Sequence, residues 1–297
     1  MPAINEKMNN DGLGPIVVCG MHRSGTSVLS QLLDLSGIEM GHFRDANHES
    51  YLYLFTNRIL LQKLGVREDT IKGLPETFSA DHINRLTRLA GRLTSGWVAR
   101  QLFNGWGADV RLSKQPWGWK DPRNCVLLPV WLQLFPNLKV IYLERDGLDV
   151  ALSLQTRAQK TEQAIADQYD DGRLISLVRI LFTNRCGQYS VEDLDDGIAL
   201  WAEYIERFET AVRNTDVPVF RLSYEELTAD PVGKMGEIHR FAGLQSPMSE
   251  SVAEALLSKV RAPRKRTERE LTLSASSRAL LGRRTTDQPF KINGDNQ

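Results

Sequence analysis

Ile16-Val17-Val18-Cys19-Gly20-Met21-His22-Arg23-Ser24-Gly25-Thr26-Ser27 is the stretch whose reading decides the fold. A short apolar run closing on a glycine reads as a buried parallel strand. Apolar residues then recur at Val28, Leu29, Leu32, Leu33 and Leu35, the spacing of a helix over 24–36 that Gly37 can cap. Gly20 and Gly25 between them have the spacing of a phosphate-binding loop, G-x-x-x-x-G-K-[S/T], with Thr26 where the lysine belongs. In such a loop the glycines let the backbone curl around an anion, several N–H groups point inward and the helix N-terminus adds positive potential. The plainer alternative is a tight glycine turn without a ligand.

Outward from this loop, helical pattern returns over 51–64 and 82–103. Trp117-Gly118-Trp119 runs as a strand end into Lys120-Asp121-Pro122. Residues 124–135 read as a helix that Pro129 kinks or starts late. Strands follow at 138–143 and 217–222, with helices at 148–156, 198–212 and 231–241, the last with Pro231 in its first turn. Strands alternating with helices predict an α/β fold, a parallel sheet covered on both faces. The chain shows no repeat and no low-complexity tract. Residues 157–197 are polar and irregular, an insertion or lid rather than a boundary. The expected division is a flexible tail at 1–14, a single domain over 15–280 and a second flexible tail at 281–297.

The 297 residues correspond to one or two domains at about 150 residues each. An apolar fraction of 41% and a charged fraction of 25% exclude wholesale disorder. Lys plus Arg and Asp plus Glu are 37 each, so the net charge is zero. That argues against a nucleic-acid or membrane-surface binder and leaves room for a local anion site. Three separated cysteines without a CxxC pair predict neither a disulfide framework nor a thiolate metal site. The polar N-terminus has no signal-peptide core, and no apolar stretch approaches the ~18 residues a spanning helix needs. A cytoplasmic setting is expected.

Thr26 in place of the lysine matters, because that lysine reaches the β- and γ-phosphates in nucleoside triphosphatases. Here the cation is Arg23, inside the loop. The site matches magnesium-triphosphate chemistry poorly and points to another phosphorylated donor. A second constellation lies downstream, where a strand delivers Arg145 at its C-terminal end and the next helix carries Ser153 eight residues later. Ligands of open parallel sheets bind outside such strand ends, and an arginine with a nearby hydroxyl can clamp a second phosphate. The alternative is that Arg145 pairs with Asp146 or Asp149 and Ser153 is an ordinary helix residue.

Together the two motifs resemble the sulfotransferase superfamily dependent on 3′-phosphoadenosine-5′-phosphosulfate (PAPS), a P-loop-type three-layer fold with a central, mainly parallel sheet. A third segment agrees: Ser223-Tyr224-Glu225-Glu226-Leu227-Thr228-Ala229-Asp230-Pro231 is similar to the family's Tyr-Glu-(Asp/Glu)-Leu…Asp-Pro element. Gly-Met-His-Arg-Ser-Gly-Thr-Ser and Trp-Gly-Trp-Lys-Asp-Pro-Arg resemble the bacterial branch akin to carbohydrate sulfotransferases. The resemblance covers residues 15–45, 115–157 and 217–245.

The resemblance implies PAPS as co-substrate and a hydroxyl acceptor: a sugar, a glycolipid or another small molecule. It implies in-line transfer that needs no metal. His22, Arg23, Ser24, Gly25, Thr26 and Ser27 would hold the 5′-phosphosulfate, with His22 orienting the loop. Arg145 and Ser153 would hold the 3′-phosphate, and Tyr224 the adenine unless it is a core tyrosine. Arg23 and Lys120 would act on the transferring group; the alternative for Lys120 is a buried pair with Asp121 or another carboxylate. The Lys-x-His of cytosolic relatives is absent, so the base must come from elsewhere. Glu49, just after Asp45-Ala46-Asn47-His48, matches the family's glutamate base loosely. His48 is next, because an unperturbed histidine titrates near neutrality. Both could instead serve the start of a helix. His42 and Asp121 are further candidates. The basic run 261–266 reads as a cover for the 3′-phosphate or as a solvated charge run. The six tryptophans read as sugar-stacking surfaces or as core. The alternatives for function are a P-loop kinase or NTPase, and a PAPS-binding protein without transfer activity.

Overall fold

Residues 16–19 form the first strand, β1 (Ile16–Cys19), and their alternation builds two cores at once. Ile16 and Val18 join one apolar cluster and Val17 and Cys19 the other, as the period of two along a strand requires. The structure, a computed structural model, describes residues 14–66, 71, 74–75, 77–96, 116–157, 191, 193–244, 250–259 and 273–282. Among these, β2 (Gly118–Lys120), β3 (Lys139–Glu144) and β4 (Val219–Ser223) complete a four-stranded sheet of order β2-β1-β3-β4. Every pairing is parallel, with Val17 opposite Trp119 on one side and Val140 on the other.

The helices in chain order are α1 (Thr26–Leu35), α2 (Tyr51–Lys63), α3 (Ala80–Ser95), α4 (Asn124–Leu134), α5 (described over 147–157) and α6 (Leu194–Val212). They continue with α7 (Tyr224–Ala229), α8 (Pro231–Ala242), α9 (Glu250–Lys259) and α10 (Ala275–Gly282). Leu29, Leu32 and Leu33 of α1 and Met235 and Ile238 of α8 cover one sheet face with Ile141, Leu143 and Leu222. Trp131 of α4 and Trp201, Tyr204 and Phe208 of α6 cover the other with Val140 and Tyr142. Stacked rings fix that second layer, Tyr53 on Trp119 at 3.8 Å and Tyr142 on Phe208 at 3.9 Å. The expected α/β architecture, a parallel sheet between helical layers, is the one observed.

Several boundaries differ from the sequence reading, each for a local reason. α1 starts at Thr26 rather than 24, because Arg23 (φ 70°) and Gly25 (φ 91°) take left-handed backbone in the loop. α3 starts two residues early, where the Ser79 hydroxyl accepts from His82 N; residues 97–103 lie outside the described part. Pro129 sits inside α4, whose start at Asn124 precedes it. α6 begins at Leu194 rather than 198, because Asp193 accepts from Asp196 N and Asp195 and Asp196 favour the positive helix end. α7 forms on a capping box in which the Ser223 hydroxyl and the Glu226 carboxylate satisfy each other's backbone N–H. α10 runs to Gly282, and Leu281 packs against the second core. Residues 1–13, most of 157–197 and 283–297 lie outside the described part. Among the described residues, no helix is long and apolar enough to cross a membrane.

From β1 the chain moves to β2 on one side, and from β3 it moves to β4 on the other. The segments leaving β1 and β3 therefore diverge at neighbouring strand ends. This is the switch point at which open parallel sheets bind ligands.

Candidate active site

The loop after β1 is shaped by contacts that exclude side chains. A Cβ on Gly20 would run into the Leu143 carbonyl oxygen. One on Gly25 would enter the Tyr224 ring. Gly20 N donates to Cys125 Sγ at 3.2 Å, and Ser24 N to Met21 O at 3.2 Å. Gly25 caps α1, and Leu29 N closes the first helical turn on its carbonyl at 3.1 Å. The loop thus presents the N-terminus of a ten-residue helix to the cleft, an anion-binding arrangement.

The second constellation meets this loop directly. Arg23 Nε donates to Ser153 Oγ at 2.8 Å, and Arg145 Nη1 donates to Arg23 O at 3.2 Å. The Arg145 guanidinium lies 4.9 Å over the Tyr224 ring, a cation–π contact. Arg145 also pairs with Asp149 at 3.4 Å, the pairing the sequence left open for this arginine. Trp201 Nε1 donates to Arg145 O at 3.2 Å and pins the strand end. Four residues that are remote in sequence, Arg23, Arg145, Ser153 and Tyr224, form one cluster.

The other half of the cleft is a buried charge cluster. Lys120 ends β2 with 1% of its surface exposed, and its Nζ lies 2.9 Å from Glu49 Oε1. Arg123 Nη1 lies 3.4 Å from Glu49 Oε2 and 2.8 Å from Asp121 Oδ1. The Asp121 carboxylate also accepts from Asn57 Nδ2 at 2.9 Å and from Arg123 N at 2.9 Å. Asn57 Oδ1 accepts from Trp131 Nε1 at 3.1 Å, and Asn57 Nδ2 donates to Asn124 Oδ1 at 3.0 Å. Asn124 in turn donates to Val18 O at 3.1 Å. The pair expected as an alternative for Lys120 exists, and its partner is Glu49. Glu49 does not cap α2, whose N-cap is Ser50.

These contacts set the titration of the groups. Burial pushes Glu49 up, but Lys120 and Arg123 outweigh it and hold its pKa below the usual carboxylate range. Asp121 is pushed up to about 6, by burial first and by the Glu49 charge, against the pull of Arg123. Burial and the surrounding cations Arg123, Lys120, Arg157 and Arg23 hold His22 well below its ordinary value, so its ring is neutral. Arg23 is lowered by burial and by Arg157 and Arg145.

The cleft is lined by Arg23, Gly25, Thr26, Ser27 and His22 of the loop, with Glu49, Lys120, Arg145 and Tyr224. Ser24 is buried and outside the lining, and Ser153, also outside it, bonds to Arg23. His48 is not in the lining; its φ of 58° puts its carbonyl on the Ser30 hydroxyl, and burial and Arg44 lower its pKa. His42 is exposed and packs edge-on against Phe43. Trp117, Trp119, Trp131 and Trp201 are core residues, at most 3% exposed. Trp97, Trp106 and the basic run 261–266 lie outside the described residues. Sequence reasoning missed Arg58, Arg123, Arg157, Asp45 and Asn47, all in the lining. Arg157 had a signal, one helical turn beyond Ser153. Arg58 had none, because α2 carries no motif.

Among the described residues the lining holds six cations, Arg23, Arg58, Lys120, Arg123, Arg145 and Arg157, against Asp45 and Glu49. In a chain of zero net charge this local excess fits a ligand with several negative charges.

Among solved structures the chain is similar to the sulfotransferase domain of the Synechococcus PCC 7002 olefin synthase, at 15% identity and TM-score 0.49, over 94% of this chain and 98% of that one. It is similar to the sulfotransferase domain of the curacin biosynthetic pathway, at 14% identity and TM-score 0.48, over 93% and 99%. It is also similar to mouse sulfotransferase SULT7A1, solved with PAP, at 13% identity and TM-score 0.43, over 84% and 64%. No curated protein matches. Residues 15–248 match the model of the sulfotransferase family, and the chain belongs to that family.

Proposed function

We propose that the protein moves a sulfuryl group from PAPS to a hydroxyl acceptor, a carbohydrate or glycolipid in the first instance, within the cytoplasm. The observation that carries the reading is the junction at the β1/β3 switch point, where Arg23 meets Ser153 at 2.8 Å and Arg145 meets Arg23 O at 3.2 Å. Two anion-binding sets in contact suit a donor with phosphate groups at both ends of one nucleoside. The free buried thiols Cys19 and Cys125 suit a reducing compartment.

When bound, PAPS supplies an activated sulfuryl group on a phosphate leaving group. Arg23 and the backbone N–H groups of residues 25–27 would hold that phosphate and stabilise its charge as it leaves; Ser24 N, bonded to Met21 O, is not among those donors. Arg145, with Ser153, holds the 3′-phosphate, and Tyr224, whose ring lies beside Gly25 and under the Arg145 guanidinium, contacts the adenine. Glu49, ionised at neutral pH, accepts the acceptor hydroxyl's proton. As it does so, Lys120 loses its ion-pair partner, and its ammonium turns to the developing negative charge. His48, outside the lining, has no part in this sequence of events.

The test is thermal unfolding with 3′,5′-adenosine bisphosphate, with ATP plus magnesium and with GTP plus magnesium. At about 100 times its dissociation constant the bisphosphate should add roughly 2.7 kcal/mol without metal. Stabilisation by a magnesium triphosphate alone would replace this reading with the kinase one. PAPS consumption with methyl pyranosides, fatty alcohols and 4-nitrophenol then sorts the acceptor class.

A further inference from the structure

Glu49 shares Arg123 with a second carboxylate that never reaches the cleft. Asp121 is fully buried and absent from the lining, yet it takes the shorter contact with Arg123 Nη1, 2.8 Å against 3.4 Å to Glu49. It also accepts from Arg123 N, so the turn after β2 and the guanidinium are gripped by one oxygen. Its other oxygen is held by Asn57, fully buried on α2 and itself fixed by Trp131 and Asn124. We propose that Asp121 is a positioning residue that keeps the Arg123 guanidinium from closing on Glu49, with Asn57 holding Asp121 in place, so that Glu49 stays basic enough to accept a proton.

The physical argument is a competition. A guanidinium that closed on Glu49 would stabilise its ionised form further and weaken it as a base. Asp121 prevents this by offering a nearer, equally buried anion. Asn57 matters because Asp121 sits near its own titration point, about 6, and the Asn57 N–H favours its ionised form. Without that bond Asp121 takes up a proton more readily and loosens its hold on Arg123. Lys120 and Arg123 touch Glu49, and Arg23, His22, Asp45, Arg58, Arg145 and Arg157 share its cleft.

This inference rests on Glu49 being the base, and its test does not require the acceptor. The infrared carboxylate band that Glu49→Gln removes reports the surroundings of the ionised Glu49 in the full-length protein, and it is read at neutral pH, where Asp121 is ionised as well. In Asp121→Asn that band should shift as the Arg123 guanidinium closes on Glu49. Affinity for 3′,5′-adenosine bisphosphate by calorimetry should stay within about twofold. Loss of the Asp121 charge alone would also move the band, so the comparison is repeated in an Arg123→Gln background. There the shift should shrink by half or more if it acts through Arg123. A band that stays in place, a shift undiminished without Arg123, or a bisphosphate affinity that collapses would each overturn the proposal. Should Asp121→Asn fail to fold, Asn57→Ser decides, with a smaller shift in the same direction expected and no shift refuting it. PAPS turnover surviving in Glu49→Gln would refute the base assignment instead, whatever the infrared bands show.

Discussion

Removing Arg145 separates binding from folding, because the structure assigns its contacts unequally to the two. In the free protein Arg145 pairs with Asp149 at 3.4 Å, with side chains 18% and 16% exposed. A pair of that length near the surface contributes at most about 1 kcal/mol. Its place over the Tyr224 ring adds roughly 0.5–1 kcal/mol. Toward a phosphate, the fork supplies charge-assisted hydrogen bonds worth about 1.5–3 kcal/mol. Arg145→Ala should therefore lower folding stability by roughly 1–2 kcal/mol and weaken 3′,5′-adenosine bisphosphate by about 30-fold, about 2 kcal/mol and within that range. At a concentration that was about 100 times the original dissociation constant, ligand stabilisation should drop from roughly 2.7 to roughly 0.9 kcal/mol. Calorimetry gives the affinity and thermal unfolding the linkage. Arg145→Lys should fall between, keeping the charge and losing the fork. A calorimetric affinity within about threefold of the original protein would refute the placement of a phosphate at this arginine.

Two further perturbations test the cluster and the loop. Glu49→Gln leaves Lys120 and Arg123 without their shared anion, so it should destabilise the protein by about 3–5 kcal/mol, read by chemical denaturation, and lower PAPS turnover by roughly a hundredfold or more. Because Glu49 is held below its unfolded pKa, its contribution is present above that value and is lost as pH falls through the folded one. The stability of the original protein should thus fall more steeply than that of Glu49→Gln on acidification below about pH 4. Gly25→Ala drives a methyl into Tyr224 at a φ of 91°; it should abolish bisphosphate binding in calorimetry. Adding Tyr224→Ala should restore only a part, since the left-handed backbone still costs about 1–2 kcal/mol.

The sequence was most legible where a local rule fixes the backbone. β1, the loop and α1 follow from apolar alternation, two glycines and the helical spacing of leucines. Arg145 and Ser153 were readable because a strand end and one helix place them. α8 was readable from Asp230 and Pro231, which form its cap and first turn. Elements that start on polar caps were read late, as at Asp193. α9 and α10 carry moderate patterns in a polar tail and were not read at all. The Trp-Gly-Trp segment gave a strand, but not that the Trp119 ring stacks on Tyr53 of α2.

The half of the cleft that holds Lys120 and Glu49 was only partly legible, because its contacts are long-range. Lys120 reaches Glu49 across 71 positions and Asn57 reaches Asp121 across 64. No periodicity or motif carries such a pairing. Read singly, Lys120 offered two exclusive roles, a partner in a buried ion pair or a contact to the reacting group. The structure shows the ion pair: a lysine this buried requires an anion, and the anion present is Glu49, the candidate base. Two carboxylates and two cations sum to zero charge, which permits their burial; proton uptake by either carboxylate leaves a net positive charge facing the cleft. The arrangement that keeps the cluster stable in the resting protein is therefore also the one that makes it cationic when a hydroxyl gives up its proton.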